Sequence, residues 1–204
     1  MRSKIIGIVL CLFLSVLTGP DIAWAQCGSG WDNLAFSDSE YFGALPSGEH
    51  TQVGQQFATD CDGKFLSVSF LVDVQFLDLN GVRKLTAGDI VTCTVMDDLN
   101  QPIASVDKIL TITFGVEQVD FDFGHLELGL ATGQLGVKVD TPNNAYARVK
   151  TSDDQLPGDL LIFEGSGFVS SANRDVALAV SWDPTAIIVG VESETWSGVK
   201  ALFR

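Results

Sequence analysis

Apolar and polar residues alternate with a period of two through most of the chain between residues 54 and 182. Such alternation is typical of a β-strand that turns one face to a core and the other face to solvent. In the segments KFLSVSFLVDVQF, VDFDF and RDVALAVSW it predicts these core-facing residues: Leu66, Val68, Phe70, Val72, Val74 and Phe76; Val119, Phe121 and Phe123; Val176, Leu178, Val180 and Trp182.

Shorter runs of the same character are GQQFA, DIVTCTV, ILTITF, QLGVKV, YARVK and DLLIF. Together with the three longer segments they predict about nine strands, separated by turn signals such as Asn80–Gly81 and Pro157–Gly158. No segment in this region has a helical apolar stripe, which argues against parallel strands joined by crossover helices. The sequence therefore predicts an all-β fold, an antiparallel β-sandwich of jelly-roll type.

A family resemblance rests on the runs GQQFATDCDGKFLSVSF, VDFDF, LGVKVDTPNNAYARV, LIFEGSG and RDVALAVSW. They resemble the jelly-roll modules of secreted bacterial multidomain proteins, which are similar to galactose-binding-like and carbohydrate-binding domains. The resemblance implies an extracellular β-sandwich with glycan as its ligand class. Because such folds take their function from side chains grafted onto one face or one loop edge, the resemblance does not identify the ligand.

The first 25 residues have the features of a secretory signal peptide. Arg2 and Lys4 precede the apolar run IIGIVLCLFLSVL, and small residues at Ala23 and Ala25 predict cleavage before Gln26. The apolar run is shorter than the ~20 residues that a membrane-spanning helix needs. We therefore expect a secreted or cell-surface protein with a short N-terminal segment, 26–53, a sandwich domain, 54–184, and no membrane span in the mature chain.

The last residues, 185–204, do not continue the strand pattern. Pro184 breaks the alternation because proline cannot donate to a strand ladder, and the apolar run TAIIVGV that follows is too short to span a bilayer. The block ESETWSGVKALFR resembles short C-terminal tails of secreted proteins from environmental bacteria, which implies a sorting or attachment segment. The alternative is a last strand followed by a frayed end.

The chain carries a formal net charge of −14, which disfavours nucleic acid and anionic lipid as partners. It suits a soluble extracellular protein or one that binds divalent cations. Carboxylates and amides on loops are suitable calcium ligands, although none has EF-hand spacing. We expect any bound calcium to be structural, no other cofactor, and these candidate ligands: Asp60, Asp62, Asp97, Asp98, Asn100, Asn173 and Asp175. The alternative is that these residues only form turns.

The cysteines after the signal peptide are Cys27, Cys61 and Cys93. In DIVTCTV, Cys93 shares a strand face with Val91 and Val95, which predicts a buried thiol. By elimination, Cys27 and Cys61 are the predicted disulfide pair, joining the mature N-terminus to an early loop. A bond between Cys61 and Cys93 is the alternative that the sequence leaves open.

The segment TPNNAYARVKTSDD is the best candidate for glycan binding. Sugar recognition uses exposed aromatic rings for stacking, with amides, carboxylates or Arg beside them for hydrogen bonds to hydroxyl groups. Alternation predicts Tyr146, Arg148 and Lys150 on the face opposite the core. The predicted ligand-binding residues are Asn143, Asn144, Tyr146, Arg148, Asp153 and Asp154. The alternative is a solvated sheet face beside a Pro-Asn turn.

Enzyme motifs are scarce. The histidines, His50 and His125, have no zinc-site spacing, and EGSGF lacks a residue of the nucleophile-elbow motif. We therefore expect a non-catalytic module that binds glycan. A structural or adhesive protein that contacts other surface proteins, without a small ligand, is the second hypothesis. A glycan-active hydrolase is the third, and it would need two carboxylates at catalytic separation.

Overall fold

The computed structural model describes residues 30–59, 63–75, 78–97, 99–130, 133–153, 158–165 and 167–185. In these ranges the chain forms strands joined by turns, as predicted. The fourteen strands are β1 (Gly30–Asn33), β2 (Asp38–Ala44), β3 (His50–Thr59), β4 (Gly63–Val74), β5 (Ile90–Met96), β6 (Pro102–Ile109), β7 (Gly115–Asp122), β8 (Gly129–Leu130), β9 (Gly133–Asp140), β10 (Tyr146–Asp153), β11 (Leu160–Glu164), β12 (Gly167–Ser171), β13 (Arg174–Val176) and β14 (Leu178–Asp183).

The ladders between these strands are all antiparallel. The main hydrogen-bonded order is β1-β14-β4-β10-β2-β3-β9-β5-β6, with β7 and β8 paired to β4, β11 to β3, β12 to β11 and β13 to β10. One edge of β4 pairs first with β14 and then, at Val72 and Asp73, with β10. Because long strands change partners in this way, the sheet wraps around a single interior as an antiparallel sandwich.

The interior is one continuous apolar cluster that joins both ends of the strand order. Phe70 of β4 and Phe121 of β7 meet edge to face with ring centroids 6.1 Å apart. Cys93 of β5 and Val139 of β9 are fully buried in the same cluster. The predicted core faces of VDFDF and RDVALAVSW are confirmed, and so is the buried thiol of Cys93.

The predicted alternation of β4 is wrong at its beginning. Phe65 is fully buried, whereas Leu66, predicted to face the core, is only partly buried. The pairing with β14 shifts here, since Ser181 pairs with Ser67 but Trp182 pairs with Phe65. A β-bulge therefore accommodates Leu66 as an extra residue, and Val68, Phe70, Val72 and Val74 follow the predicted pattern. Phe76 lies outside the described residues.

The predicted strand ILTITF is also wrong beyond Ile109. Residues 110–114 form the connection between β6 and β7. The carboxylate of Glu117 accepts hydrogen bonds from the backbone nitrogens of Thr111 (3.0 Å) and Ile112 (3.2 Å) and from Thr111 Oγ1 (2.7 Å). These amide groups therefore bond to a side chain rather than to a neighbouring strand.

The first strand among the described residues begins at Gly30, well before the predicted domain boundary at residue 54. β1 pairs with β14, and β2 lies between β10 and β3, so the segment before residue 54 is an integral part of the sheet. The described residues form fourteen strands rather than the predicted nine or so, because the predicted runs leave out β1, β2, β8 and β12 and because RDVALAVSW forms two strands, β13 and β14.

The predicted Asn80–Gly81 turn is confirmed: both residues have positive φ, 46° and 90°, between the bridged residues Leu79 and Val82. Helical structure in the described ranges is one 3₁₀ turn, Gly124–Leu126, and no helix there is long and apolar enough to cross a bilayer. Cys27, Cys61, the predicted signal peptide and residues 186–204 of the tail lie outside the described residues.

Candidate functional site

The alternation predicted for β10 is confirmed for most of its residues. Ala147 and Val149 are fully buried, as is Ala145 just before the strand. Arg148 and Lys150 lie on the opposite face, paired across the ladder with Tyr41 and Ser39 of β2. The outer face of β2 and β10 therefore carries the cationic side chains that the sequence placed there.

Tyr146 is buried, which corrects its predicted exposure. It is only 2% exposed, although it lies on the same strand face as Arg148. The connection between β4 and β5 covers it: Tyr146 N donates to Arg83 O over 3.1 Å, and Leu85 N donates to Tyr146 O over 2.7 Å. Burial raises the pKa of the Tyr146 phenol. The ring therefore cannot stack on a sugar.

The other predicted site residues separate into different environments. Asn143 Oδ1 accepts a hydrogen bond from Ile90 N over 3.0 Å, so this side chain ties the turn to β5. Asn144 is exposed in the same turn, and Asp153 is exposed at the end of β10. Asp154 lies outside the described residues. The structure therefore does not gather the five described residues of this set into one site.

A different cluster forms around Arg148 on the outer face of β2, β10 and β4. Asp73 Oδ2 accepts hydrogen bonds from Arg148 Nη2 over 3.0 Å and from Lys150 Nζ over 2.8 Å. The Arg148 guanidinium lies 5.7 Å from the centre of the Tyr41 ring, and Lys150 Nζ lies 4.9 Å from the centre of the Phe36 ring. We call these five residues the aromatic–cation strip.

The strip combines a fixed polar centre with accessible rings. The Asp73 side chain is mostly buried and neutralised by its two cationic partners, which compensates the cost of burying a carboxylate. Phe36 is 51% exposed and Tyr41 is 36% exposed. The strip thus presents two aromatic surfaces beside hydrogen-bonding groups held in one orientation.

A shallow hollow adjoins the strip at Phe36. Its lining residues are Asn33, Ala35, Phe36, Ser37, Ser152 and Asp153, and its volume is about 260 Å³. Asn33 Nδ2 donates to Ser152 Oγ over 2.8 Å, so amide, hydroxyl and carboxylate side chains line the hollow together with Phe36. Asp153, one of the predicted site residues, therefore lies in the hollow that adjoins the aromatic–cation strip.

A second polar cluster lies on the outer face of β3 and β9. Asp140 accepts hydrogen bonds from Gln52 Nε2 over 2.6 Å and from Thr141 N over 2.6 Å, and lies 2.6 Å from His50 Nε2. Lys138 Nζ donates to Gln52 Oε1 over 2.7 Å, and burial lowers the pKa of its ammonium group. These side chains bond mainly to one another, whereas the strip keeps exposed rings beside its polar groups.

Three of the four described calcium candidates, Asp97, Asn100 and Asp175, accept hydrogen bonds within the fold, and the fourth, Asn173, is exposed in the turn between β12 and β13. Asp97 Oδ1 accepts the backbone nitrogens of Leu99 (2.9 Å) and Gln101 (2.7 Å), and Asp175 Oδ1 accepts Gln55 Nε2 over 2.9 Å. Across the described ranges no three His, Cys, Asp or Glu side chains are grouped as a metal site would need. The remaining candidates Asp60, Asp62 and Asp98 lie outside these ranges.

The other histidine, His125, is exposed on the 3₁₀ turn.

Sequence reasoning missed Phe36, Tyr41 and Asp73. The two aromatic residues precede residue 54, where the alternation is too short to define strands. Asp73 did show a signal, because it interrupts the apolar run of β4 on the same outer face that Arg148 occupies in β10.

Comparison of the sequence with protein-family models and with curated proteins finds no match.

Proposed function

We propose that the protein is a secreted, non-catalytic bacterial β-sandwich module that binds extracellular glycan on the aromatic–cation strip. The observation that carries this proposal is the placement of two accessible rings, Phe36 and Tyr41, beside the charged group of Asp73, Arg148 and Lys150. Ring faces stack on the apolar faces of sugars, while guanidinium, ammonium and carboxylate groups bond to hydroxyls.

Rigidity of the site favours binding. Arg148 and Lys150 are held by one carboxylate and by the ladder of β10, so little side-chain freedom is lost when a ligand binds. Four of the five strip residues, all except Phe36, lie on strands, which fixes the Tyr41 ring relative to Asp73, Arg148 and Lys150. The hollow beside Phe36 adds amide and hydroxyl groups at one end, where a further sugar unit would be accommodated.

The test is a glycan array followed by calorimetric titration of the strongest ligand. We expect Tyr41→Ala and Phe36→Ala each to weaken binding about tenfold, which corresponds to about 1.4 kcal/mol. Arg148→Gln should weaken it further because Asp73 loses one of its partners. The matched control is Ile103→Ala on β6, which removes an exposed apolar side chain elsewhere and should leave binding unchanged.

Equal losses of glycan affinity in Tyr41→Ala and Ile103→Ala would contradict binding at the strip. The absence of binding to any glycan on the array, with and without calcium, would contradict glycan binding itself.

The second candidate function is a structural or adhesive surface protein. The observation that favours it is the uncharged strand β12, which within the described part of the chain pairs with β11 alone and has Phe168 and Val169 exposed.

A further inference from the structure

The strand β12 forms an open edge of the sheet. Among the described residues it pairs only with β11, and four of its five residues are exposed. Phe168 is 50% exposed and Val169 is 61% exposed. An edge strand presents unpaired backbone N–H and C=O groups along its free side, which are a template for another strand.

The edge of β12 lacks the protection that other edge strands carry. β6 contains Pro102, Asp107 and Lys108, and β7 contains Glu117 and Asp120. Proline and charged side chains on an edge prevent pairing between sheets. The sequence of β12, GFVSS, has neither proline nor charge. Of these three edges, β12 alone can accept a further strand without opposing it.

We propose that β12 pairs with β12 of a second copy of this chain, antiparallel about a two-fold axis. Such an axis makes each contact self-complementary, because the same strand supplies both sides. Copies of a chain with net charge −14 repel each other, so self-association needs a contact without like charges face to face. The edge of β12 meets that requirement, whereas β7 would set carboxylates near carboxylates.

The side chains of β12 fit this pairing. With the axis at Val169, the central residue of the strand, Val169 lies opposite Val169 of the second copy, and Phe168 lies opposite Ser170. Phe168 already packs against Phe163 of β11, with ring centroids 5.8 Å apart. The two-fold axis places the Phe163–Phe168 ring pairs of the two copies on the same outer face of the joined sheet. Each ring pair then covers apolar surface of the other copy that is exposed in a single copy.

The proposed contact is short, so the dimer is weak. Pairing through one five-residue strand belongs to the small, transient class of interface, for which we expect a dissociation constant on the order of tens of micromolar. Association should therefore depend visibly on protein concentration in the micromolar to millimolar range.

The experiment is sedimentation equilibrium of the full chain recovered from an exporting host, with amide hydrogen exchange measured over the same concentrations. We expect a monomer–dimer equilibrium and increased protection of the β12 amides at high concentration. Val169→Lys should weaken dimerisation at least about tenfold, because the substitution sets two ammonium groups face to face across the axis. Ser170→Lys, on the other face of the strand, should weaken it as well.

The matched control is Ile109→Lys, which places the same charge at an apolar position of similar exposure, 65%, on the edge strand β6. It should leave dimerisation unchanged, and circular dichroism should show the same fold for all variants. Three results would overturn the proposal: a monomer at every concentration, a dimer that Val169→Lys and Ile109→Lys weaken equally, or a dimer that appears only after residues 186–204 are removed. The last result would identify the C-terminal segment as the occupant of the β12 edge.

Discussion

Gln55 and Asp175 are hydrogen-bonded in the interior, where Gln55 Nε2 donates to Asp175 Oδ1 over 2.9 Å and both residues are fully buried. Gln55 also accepts a hydrogen bond at Oε1 from the backbone nitrogen of Val176 over 2.9 Å. One amide side chain on β3 therefore satisfies two polar groups of β13. Buried polar groups that lose their partners carry the full cost of desolvation.

The first prediction is that Gln55→Leu lowers the free energy of unfolding by about 3 kcal/mol. The substitution keeps the volume nearly constant but leaves Val176 N and Asp175 Oδ1 without this partner. Urea unfolding followed by circular dichroism measures the change. Gln118→Leu, at an exposed position on β7, is the control and should cost less than about 1 kcal/mol. Equal effects in the two variants would contradict the structural role of Gln55.

The second prediction concerns Gly43, which has φ of +91° at the end of β2. A Cβ atom there would lie 2.3 Å from Ala145 O and 2.9 Å from Thr141 Cγ2. Gly43→Ala should therefore destabilise the fold by about 3 kcal/mol or more, because the backbone of the neighbouring segment must move.

The control for this prediction is Gly48→Ala. Gly48 has a similar φ, +84°, but open space where its Cβ would lie. Its substitution should cost only the backbone strain, about 1 kcal/mol. A comparison of thermal unfolding midpoints separates the two effects, and similar midpoints would show that Gly43 does not approach Ala145 so closely.

The third prediction is a pH-dependent contribution from Arg83 and Asp89. Arg83 donates to Asp89 through Nη1 over 2.6 Å and Nη2 over 2.9 Å, and this hydrogen bonding lowers the pKa of Asp89. Because the folded-state pKa lies below the unfolded value, the pair stabilises the fold above about pH 4 and loses this effect as the pH falls through the folded-state pKa.

Arg83→Gln should therefore lower the free energy of unfolding at pH 7 by at most about 1 kcal/mol, since solvent screens the half-exposed guanidinium. The difference from the original protein should shrink at pH 3, because the unfolded chain takes up a proton at Asp89 that the paired carboxylate of the folded protein resists. Urea unfolding at the two pH values measures it. Arg83→Lys keeps the charge but loses the bidentate geometry. Its free energy of unfolding at pH 7 should therefore lie between those of the original protein and Arg83→Gln. A difference of the same size at both pH values would refute the assignment.

The fourth prediction concerns the reactivity of Cys93. Burial raises the pKa of its thiol well above the ordinary value, so little of the reactive thiolate is present. We expect no alkylation by iodoacetamide in the folded protein and complete alkylation after unfolding without reductant, measured by peptide mass. A Cys93 that stays unlabelled in the unfolded chain would instead be bonded to another cysteine, and the same peptide map tests the predicted Cys27–Cys61 bond.

The sequence alone determined which residues of most strands face the core. Val119 and Phe121 of β7 and Val180 and Trp182 of β14 are buried as predicted. This is a local property, because successive side chains of an extended backbone point to opposite faces whatever strand lies beside them. The sequence also excluded a helical body and placed Arg148 on an outer face.

Only the tertiary structure decided what covers each face and which strands meet there. Tyr146 and Arg148 share one strand face, yet the segment that includes Arg83 and Leu85 buries the first and leaves the second accessible. Phe36 and Tyr41 reach Arg148 and Lys150 because β2 pairs with β10 over a sequence separation of about a hundred residues. Alternation defines two sides of a strand, but long-range pairing and the paths of the loops determine which outer surface stays open to a ligand.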